Sequence, residues 1–141
     1  MDKETIFKSI FELVVNFTQF FNQKPIFSKM TTNEFYLFLF INFYAPVSMK
    51  YCSEKIELSK STITVLIDKL ENKNLVIRKR SKKDRRVIHI FPTNRGKKLF
   101  ENFSSEFYKI IEVISSKIPN NELEIINKGF ELFIKNIFGG E

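Results

Sequence analysis

The sequence predicts a mainly α-helical protein with one short β-hairpin. Apolar residues recur every three or four positions over most of the chain, which is the spacing of one helix face. Only 4 of the 141 residues are Gly and 4 are Pro, too few turn-forming residues for a sandwich or barrel of many short strands. Residues 75–91 instead carry two short β-type segments around a polar, charged stretch. A hydrophobic fraction of 43% suits a single domain, predicted at residues 1–141.

The helical periodicity divides the chain into six predicted helices. The first runs from Thr5 to Phe21 and ends at Lys24-Pro25, because a residue before proline disfavours helical backbone angles. The second is capped within Thr32-Asn33-Glu34, reaches Ala45-Pro46 and is apolar on most sides, which predicts a buried central helix. The others follow in order: a short helix capped by Ser48, one from Lys60 to Asn72 capped by Ser59, a long one capped by Thr93 that continues to Pro119, and a last one after Asn120-Asn121 that carries Leu123 to Ile137.

The two β-type segments predict a two-stranded hairpin between the fourth and fifth helices. Its strands are predicted at Leu75–Arg80 and Arg86–Phe91, and Ser81–Arg85 joins them. Both strands and the loop between them carry basic residues, so the hairpin is strongly cationic.

Positive charge is concentrated in the middle of the chain. Residues 49–98 hold 15 Lys and Arg against 5 Asp and Glu, whereas the remaining residues hold 8 against 11. All five arginines lie between Arg78 and Arg95, although Lys is more than three times as frequent in the chain. Segregated charge and clustered arginine favour a polyanionic partner over an ordinary solvated surface.

The tight turn Glu57-Leu58-Ser59 joins two predicted helices, and a basic hairpin follows them. This is the arrangement of a winged helix-turn-helix, predicted here at residues 32–100. A helix fits the major groove of DNA, where short polar side chains in its first turn face base edges. A narrow basic hairpin suits the negative potential of the minor groove. The sequence therefore predicts double-stranded DNA as the partner.

Other classes of function have less support. Cys52 and His89 are the single cysteine and histidine, which excludes an internal disulfide and Cys- or His-rich metal sites. We predict no enzyme, no catalytic residue and no cofactor, because phosphate-loop, nucleophile-elbow and paired-acid motifs are missing. We expect a cytoplasmic protein without membrane contact, because the N-terminus is acidic and the longest uncharged stretch, Phe35–Met49, is too short to span a bilayer. A winged-helix module that binds protein, without specific DNA binding, stays open as the alternative.

Three motifs resemble MarR-type transcriptional regulators. The run Leu58–Arg78 is similar to the family's recognition helix and first wing strand, Asp84-Arg85-Arg86 to its D-R-R wing signature, and Thr93–Leu99 to the T-x-x-G start of the next helix. The resemblance implies an obligate homodimer, formed by terminal helices at residues 1–31 and 101–141. It also implies a pseudo-palindromic operator, usually repression, and release by a small aromatic effector.

The resemblance also assigns roles to individual residues. The predicted DNA-binding residues are Ser59, Lys60, Ser61, Thr62, Thr64, Lys69, Lys82, Lys83, Asp84, Arg85 and Arg86. Ser61, Thr62 and Thr64 would face the major groove, and Lys60 and Lys69 the phosphates. Asp84 would hold the wing tip, and Arg86, ahead of Arg85, would enter the minor groove.

The same resemblance bears on ligand and redox sensing. The residues suggested for an effector pocket are Phe11, Phe35, Tyr36 and Tyr51, with ordinary core packing as the alternative for most aromatic residues. Members of the family that sense oxidants carry a thiol in the first helix, and Thr5–Gln23 has none. We therefore expect Cys52 to be a small, half-buried hydrophobic residue.

Overall fold

The computed structural model describes residues 2–23 and 29–137. Its helices are α1 (Lys3–Asn22), α2 (Thr32–Tyr44), α3 (Met49–Ile56), α4 (Lys60–Asn72), α5 (Asn94–Ser115) and α6 (Asn120–Ile137), and its strands are β1 (Val47–Ser48), β2 (Val76–Arg80) and β3 (Ile88–Pro92). The chain forms two compact units, Met1–Lys97 and Lys98–Glu141. The predicted fold class, mainly helical with a small wing sheet, is confirmed. The predicted end of the first helix at Lys24-Pro25 lies outside the described residues.

The helix α2 supplies much of the core of the first unit, as the sequence predicts. Its buried apolar side chains are Phe35, Leu37, Phe38 and Ile41. The cap predicted within Thr32-Asn33-Glu34 is wrong, because the preceding residue, Thr31, caps the helix. The Thr31 hydroxyl accepts a hydrogen bond from the Glu34 amide, and the Glu34 carboxylate accepts one from the Thr31 amide. This reciprocal pair requires an acid three residues after the cap, which only Thr31 has.

The wing sheet has three antiparallel strands in the order β1-β3-β2, rather than the two that the sequence predicts. The central position of β3, Ile90, pairs with Val47 on one side and Arg78 on the other. The second wing strand begins at Ile88, not at Arg86, because the turn closes with a bond from the Ser81 amide to the Val87 carbonyl. Arg86 therefore lies in the wing loop.

The start of α5 packs against the turn between α4 and β2. The Thr93 hydroxyl accepts a bond from the Gly96 amide at 3.0 Å and donates to the Asn74 carbonyl at 2.7 Å. A Cβ atom at Gly96 would collide with the Leu75 carbonyl oxygen. The T-x-x-G motif thus has a steric reason, since only glycine fits this close backbone approach.

Long apolar stripes remain exposed on three helices. On α1 they include Phe7 and Phe11, which are 73% and 60% exposed, and α6 has no buried residue. The exposed apolar residues of α5 and α6 are Tyr108, Ile110, Ile111, Val113, Ile114, Ile125, Ile126, Phe130, Leu132, Phe133, Ile134 and Ile137. In the described part of the chain, no helix combines the length and the apolar character needed to cross a membrane.

Candidate nucleic-acid interface

The helix α4 begins at the tight turn that the sequence predicts. The residue Glu57 ends α3 in the left-handed conformation, with φ of 56°. Ser59 then caps α4, its hydroxyl accepting a bond from the Thr62 amide at 3.1 Å. The Ser59 hydroxyl also lies 3.0 Å from that of Ser61 and 2.8 Å from that of Thr62. The Ser59 hydroxyl at the N-cap therefore bonds to two hydroxyl groups in the first turn of α4.

The two faces of α4 differ sharply in character. Ile63, Leu66, Ile67 and Leu70 are buried and attach the helix to the core of the first unit. The opposite face is exposed and consists of Lys60, Ser61, Thr62, Thr64, Val65 and the two charged residues that follow, Asp68 and Lys69. The Thr64 hydroxyl donates to the Lys60 carbonyl at 2.9 Å, which fixes its rotamer along the helix. Val65 also lies on this outer face and is 52% exposed. Val65 is not among the DNA contacts predicted from the sequence.

The wing loop is organised by two polar side chains. The Asp84 carboxylate accepts a bond from the Arg86 amide at 3.0 Å, and the Asp84 carbonyl accepts one from the Val87 amide. The Ser81 hydroxyl accepts bonds from the amides of Lys83 and Asp84. These bonds shape the tip locally, as an Asx-type turn does.

Four of the predicted wing residues form an exposed cationic tip. Lys82, Lys83, Arg85 and Arg86 all lie in the loop with exposed side chains. Arg80, Ser81, Lys82 and Arg85 also line a shallow concavity at the base of this tip. The structure thus brings the predicted wing residues together on one loop, and the predicted recognition residues together on one helix.

Lys69 is placed differently from the other predicted contacts. Its ammonium lies 3.5 Å from the Glu34 carboxylate at the start of α2, and Lys73 lies 3.1 Å from the same group. Lys73 also donates to the Lys29 carbonyl at 2.8 Å. The Glu34 side chain is only 5% exposed. Lys69 and Lys73 therefore hold the C-terminal half of α4 against the start of α2.

The ionisation of Glu34 reflects this setting. Burial alone raises the pKa of its carboxyl group, but the Thr31 amide bond and the Lys73 and Lys69 ammonium groups outweigh burial and hold the pKa below its ordinary value. Glu34 is therefore a buried anion that is compensated on two sides.

Arg78 is a second residue that the sequence analysis did not name as a functional residue. It lies on β2, but its guanidinium contacts Glu71 at 2.5 Å and Asp68 at 2.6 Å, both on α4. The clustering of arginines in the sequence suggested a charge for a polyanion, whereas the structure pairs this one internally. The sequence did carry a signal for this pairing: Asp68 and Glu71 are three residues apart, so they share one face of α4 and can both pair with one basic residue.

An apolar groove of about 490 Å³ lies between α1 and α2 in the first unit. Its lining residues are Leu13, Val14, Phe17, Thr18, Asn22, Met30, Thr31, Thr32, Phe35 and Tyr36. Two of the four suggested pocket residues, Phe35 and Tyr36, line this groove. Phe11 does not line it, and the ring of Tyr51 instead lies 5.5 Å from that of Phe40.

Cys52 is fully buried rather than half-buried. Burial raises the pKa of its thiol to about 11, which disfavours the thiolate at neutral pH.

Comparisons with known proteins give a consistent family. The family model described as transcriptional regulator SarA/Rot matches residues 19–103. The HTH-type transcriptional regulator YpoP of Bacillus subtilis is 30% identical over 131 residues, covering 90% of each chain. The HTH-type transcriptional regulator SarZ of Staphylococcus aureus is 32% identical over 96 residues, covering 60% of this chain and 62% of SarZ.

Solved structures show the same architecture. A MarR-like transcriptional regulator from Thermotoga maritima superposes with a TM-score of 0.78 at 30% identity, covering 100% of this chain and 99% of that one. FabT of Streptococcus pneumoniae, solved in complex with DNA, has a TM-score of 0.75 at 23% identity, covering 96% and 95%. The second similarity supports the fold alone.

The family model spans more than half of the chain, and the relative from Bacillus subtilis spans most of it. These matches confirm the resemblance carried by the recognition-helix and wing motifs, and the prediction that the chain is not an enzyme. The chain belongs to the SarA/Rot family of transcriptional regulators and has the MarR-like winged helix-turn-helix fold.

Proposed function

We propose that the protein binds a pseudo-palindromic operator as a homodimer, represses transcription in the cytoplasm and is released by a small effector. The observation that carries this proposal is the pairing of an exposed hydroxyl-rich face at the start of α4 with an exposed cationic wing in the same unit. A helix start with free amide groups and short polar side chains suits base edges and phosphates, and a basic loop suits the minor groove.

The first turn and outer face of α4 supply the major-groove contacts. Ser59, Ser61 and Thr62 present hydroxyl groups that can both donate and accept, and Lys60 lies beside them as a phosphate contact. Val65 shares the outer face, because it lies four residues after Ser61. An exposed valine suits the methyl group of thymine, which favours AT-rich half-sites.

The wing loop supplies the minor-groove and backbone contacts. Arg86 and Arg85 follow Asp84, whose bonds to the loop backbone hold the tip in shape. Lys82 and Lys83 act as point charges on phosphate oxygens. AT-rich tracts have a narrow minor groove with strong negative potential, so arginine at this tip reads groove shape rather than single bases.

Two-fold symmetry is supported by the exposed apolar helix faces. Exposed apolar stripes such as those on α1, α5 and α6 are typical of partner surfaces, and a second copy of the chain is a self-complementary way to cover them. A two-fold dimer places its two α4 helices in successive major grooves, about one helical turn apart.

Effector control is supported by the groove between α1 and α2. Its volume of about 490 Å³ falls in the range of small-molecule sites, and most of its lining is apolar or aromatic. The groove reaches Thr31 at the cap of α2, and the nearby Glu34 pairs with Lys69 of α4 and with Lys73 at the C-cap of α4. A ligand that displaced this cap would therefore disturb the recognition helix.

The experiment is selection of duplexes from a random library by the wild-type protein, followed by footprinting and titration. We expect an AT-rich two-fold site and a log-log salt slope of about −0.9 for each phosphate neutralised. Arg86→Ala should weaken all AT-rich sites, whereas Thr62→Ala should relax preference at one position, at a cost of about 1–3 kcal/mol. Lys128→Ala, which removes a charge from α6, is the matched control. It should change neither the affinity for AT-rich sites nor the sequence preference.

Three outcomes would contradict these assignments. A footprint of a single half-site would oppose dimeric binding. Recovery of no preferred duplex, with weak binding to every sequence, would favour the alternative of a protein-binding module. If Arg86→Ala and Thr62→Ala both behaved like Lys128→Ala, the roles assigned to Arg86 and Thr62 would be wrong even if the wild-type protein selects a preferred duplex.

A further inference from the structure

Arg78 joins the wing to the recognition helix through four hydrogen bonds. Its Nη1 donates to Glu71 Oε2 at 2.5 Å, and its Nη2 donates to Asp68 Oδ1 at 2.6 Å and to the Thr64 carbonyl at 3.3 Å. Its backbone amide donates to Glu71 Oε1 at 3.0 Å. The Arg78 side chain is 23% exposed, although it lies on a strand of the cationic wing.

The three α4 acceptors lie on one face of the helix. Positions 64, 68 and 71 are separated by four and three residues, so they stack along two helical turns. A guanidinium is a planar fork with donors in fixed directions, and it holds several acceptors in one relative geometry better than an ammonium can. We call Arg78 with its acceptors on Thr64, Asp68 and Glu71 the clamp. Through the Thr64 carbonyl, the clamp contacts a residue on the exposed face of α4 that we propose faces DNA.

The acids of this clamp stand where electrostatics alone would disfavour them. Asp68 is 54% exposed on the outer half of α4, and a carboxylate near DNA phosphates is repelled. Arg78 carries one positive charge and pairs with two negative charges, so the cluster is net anionic. The charges of this cluster therefore do not favour DNA binding, which leaves the geometry of its hydrogen bonds as its contribution.

We propose that Arg78 is a positioning residue that fixes the wing relative to α4, so that the major-groove and minor-groove contacts are made together. This inference rests on the proposed DNA-binding function. The segment between the two elements is only Lys73 to Leu75, and it contains Asn74 in the left-handed conformation, with φ of 59°. The clamp spans this short turn and holds its two flanking elements in one arrangement.

The test uses variants for which charge and positioning predict opposite results. Asp68→Asn removes a negative charge, so electrostatics alone predicts tighter binding to any duplex, whereas loss of the clamp predicts weaker binding to the preferred one. Arg78→Lys keeps the charge but loses the fork. The charge-matched control is Glu57→Gln, since Glu57 is an exposed acid just before α4.

Affinity is measured for the duplex selected by the wild-type protein and for a scrambled duplex of the same composition. We expect Asp68→Asn and Arg78→Lys each to lower the ratio of the two affinities by about tenfold, comparable to one displaced base contact. Glu57→Gln should leave that ratio unchanged. The salt slope of Arg78→Gln should equal that of the wild type, because Arg78 contacts carboxylates and a carbonyl rather than a phosphate.

Several results would overturn the inference. One is an unchanged or increased ratio for Asp68→Asn; another is a salt slope reduced by about 0.9 in Arg78→Gln, which would make Arg78 a phosphate contact. If thermal unfolding shows that an Arg78 variant is not folded, the half-exposed Asp68→Asn decides. If the wild-type protein selects no duplex, the proposed function and this inference are both wrong. If it selects a duplex and the variants keep the wild-type affinity ratio, only this inference is wrong.

Discussion

Replacing Glu34 by Gln tests how strongly the buried anion ties α2 to the recognition helix. Glutamine keeps the shape and an oxygen that can accept from the Thr31 amide, but it loses the charge that faces Lys73 and Lys69 at 3.1 Å and 3.5 Å. The two lysine side chains are 35% and 49% exposed, so solvent screens each pair, and we assign about 0.5–1 kcal/mol to each. The change from a charged to a neutral acceptor for Thr31 adds about 0.5–1 kcal/mol. The free energy of unfolding should fall by about 0.5–2 kcal/mol, because the neutral amide escapes the desolvation cost of a buried carboxylate and this gain offsets part of the losses.

The assay is urea denaturation at one fixed protein concentration, since self-association would otherwise shift the midpoint. Glu54→Gln is the matched control, because Glu54 and Lys50 form a pair 3.8 Å apart with both side chains largely exposed. That control should leave the free energy of unfolding almost unchanged.

The dependence on pH gives a second readout for the same substitution. The folded-state pKa of Glu34 is lowered from its ordinary value of 4.5, so the stabilisation is fully present above that value and is lost as the pH falls through the lower folded-state pKa. The difference between the wild type and Glu34→Gln should therefore be large at pH 7 and shrink below about pH 4.5. A Glu34→Gln effect no larger than that of Glu54→Gln, or one that stays constant down to acidic pH, would refute this reasoning.

Two further predictions concern packing and reactivity. Gly96→Ala should lower the free energy of unfolding by about 1–3 kcal/mol or more, because its Cβ would meet the Leu75 carbonyl, whereas Gly129→Ala in α6 meets nothing within 4 Å and should stabilise by about 0.5–1 kcal/mol. Thermal denaturation compares the two, and equal effects would contradict the steric explanation. Cys52 should react with iodoacetamide at pH 7.5 far more slowly in the native protein than in urea, because its thiol is buried with a pKa of about 11. Mass spectrometry measures the extent of alkylation, and rapid native alkylation would show that the thiol is accessible.

Helix positions could be predicted well because they depend on local signals. Ser48 and Ser59 cap α3 and α4 as predicted, since a hydroxyl before an apolar stripe is visible in the sequence itself. The strand β1 could not be predicted, because two residues are too few to show alternation and its pairing with β3 is a long-range contact. The one-residue error at Thr31 arose because adjacent threonines offer nearly the same local pattern.

The candidate site could be predicted as a region more readily than as individual partners. Residues on the wing loop and the first turn of α4 are neighbours in sequence, so their grouping followed from the motif. Lys69 and Arg78 show where this reasoning stops. A basic residue in a basic segment looks available for phosphate, but Glu34 and Asp68 approach them only in the folded chain. Which charge meets which is decided by tertiary contacts that composition does not encode.

The burial of Cys52 has a practical consequence for spectroscopy on this protein. It is the single thiol of the chain and it is fully enclosed, so a cysteine introduced on the surface would be the reactive one under native conditions. A fluorophore or spin label placed at Lys83 on the wing loop would report from that loop alone, with the native sequence otherwise intact. Distances between two such labels in a symmetric complex could then be followed as salt or small molecules are added, without first removing a native residue from the core.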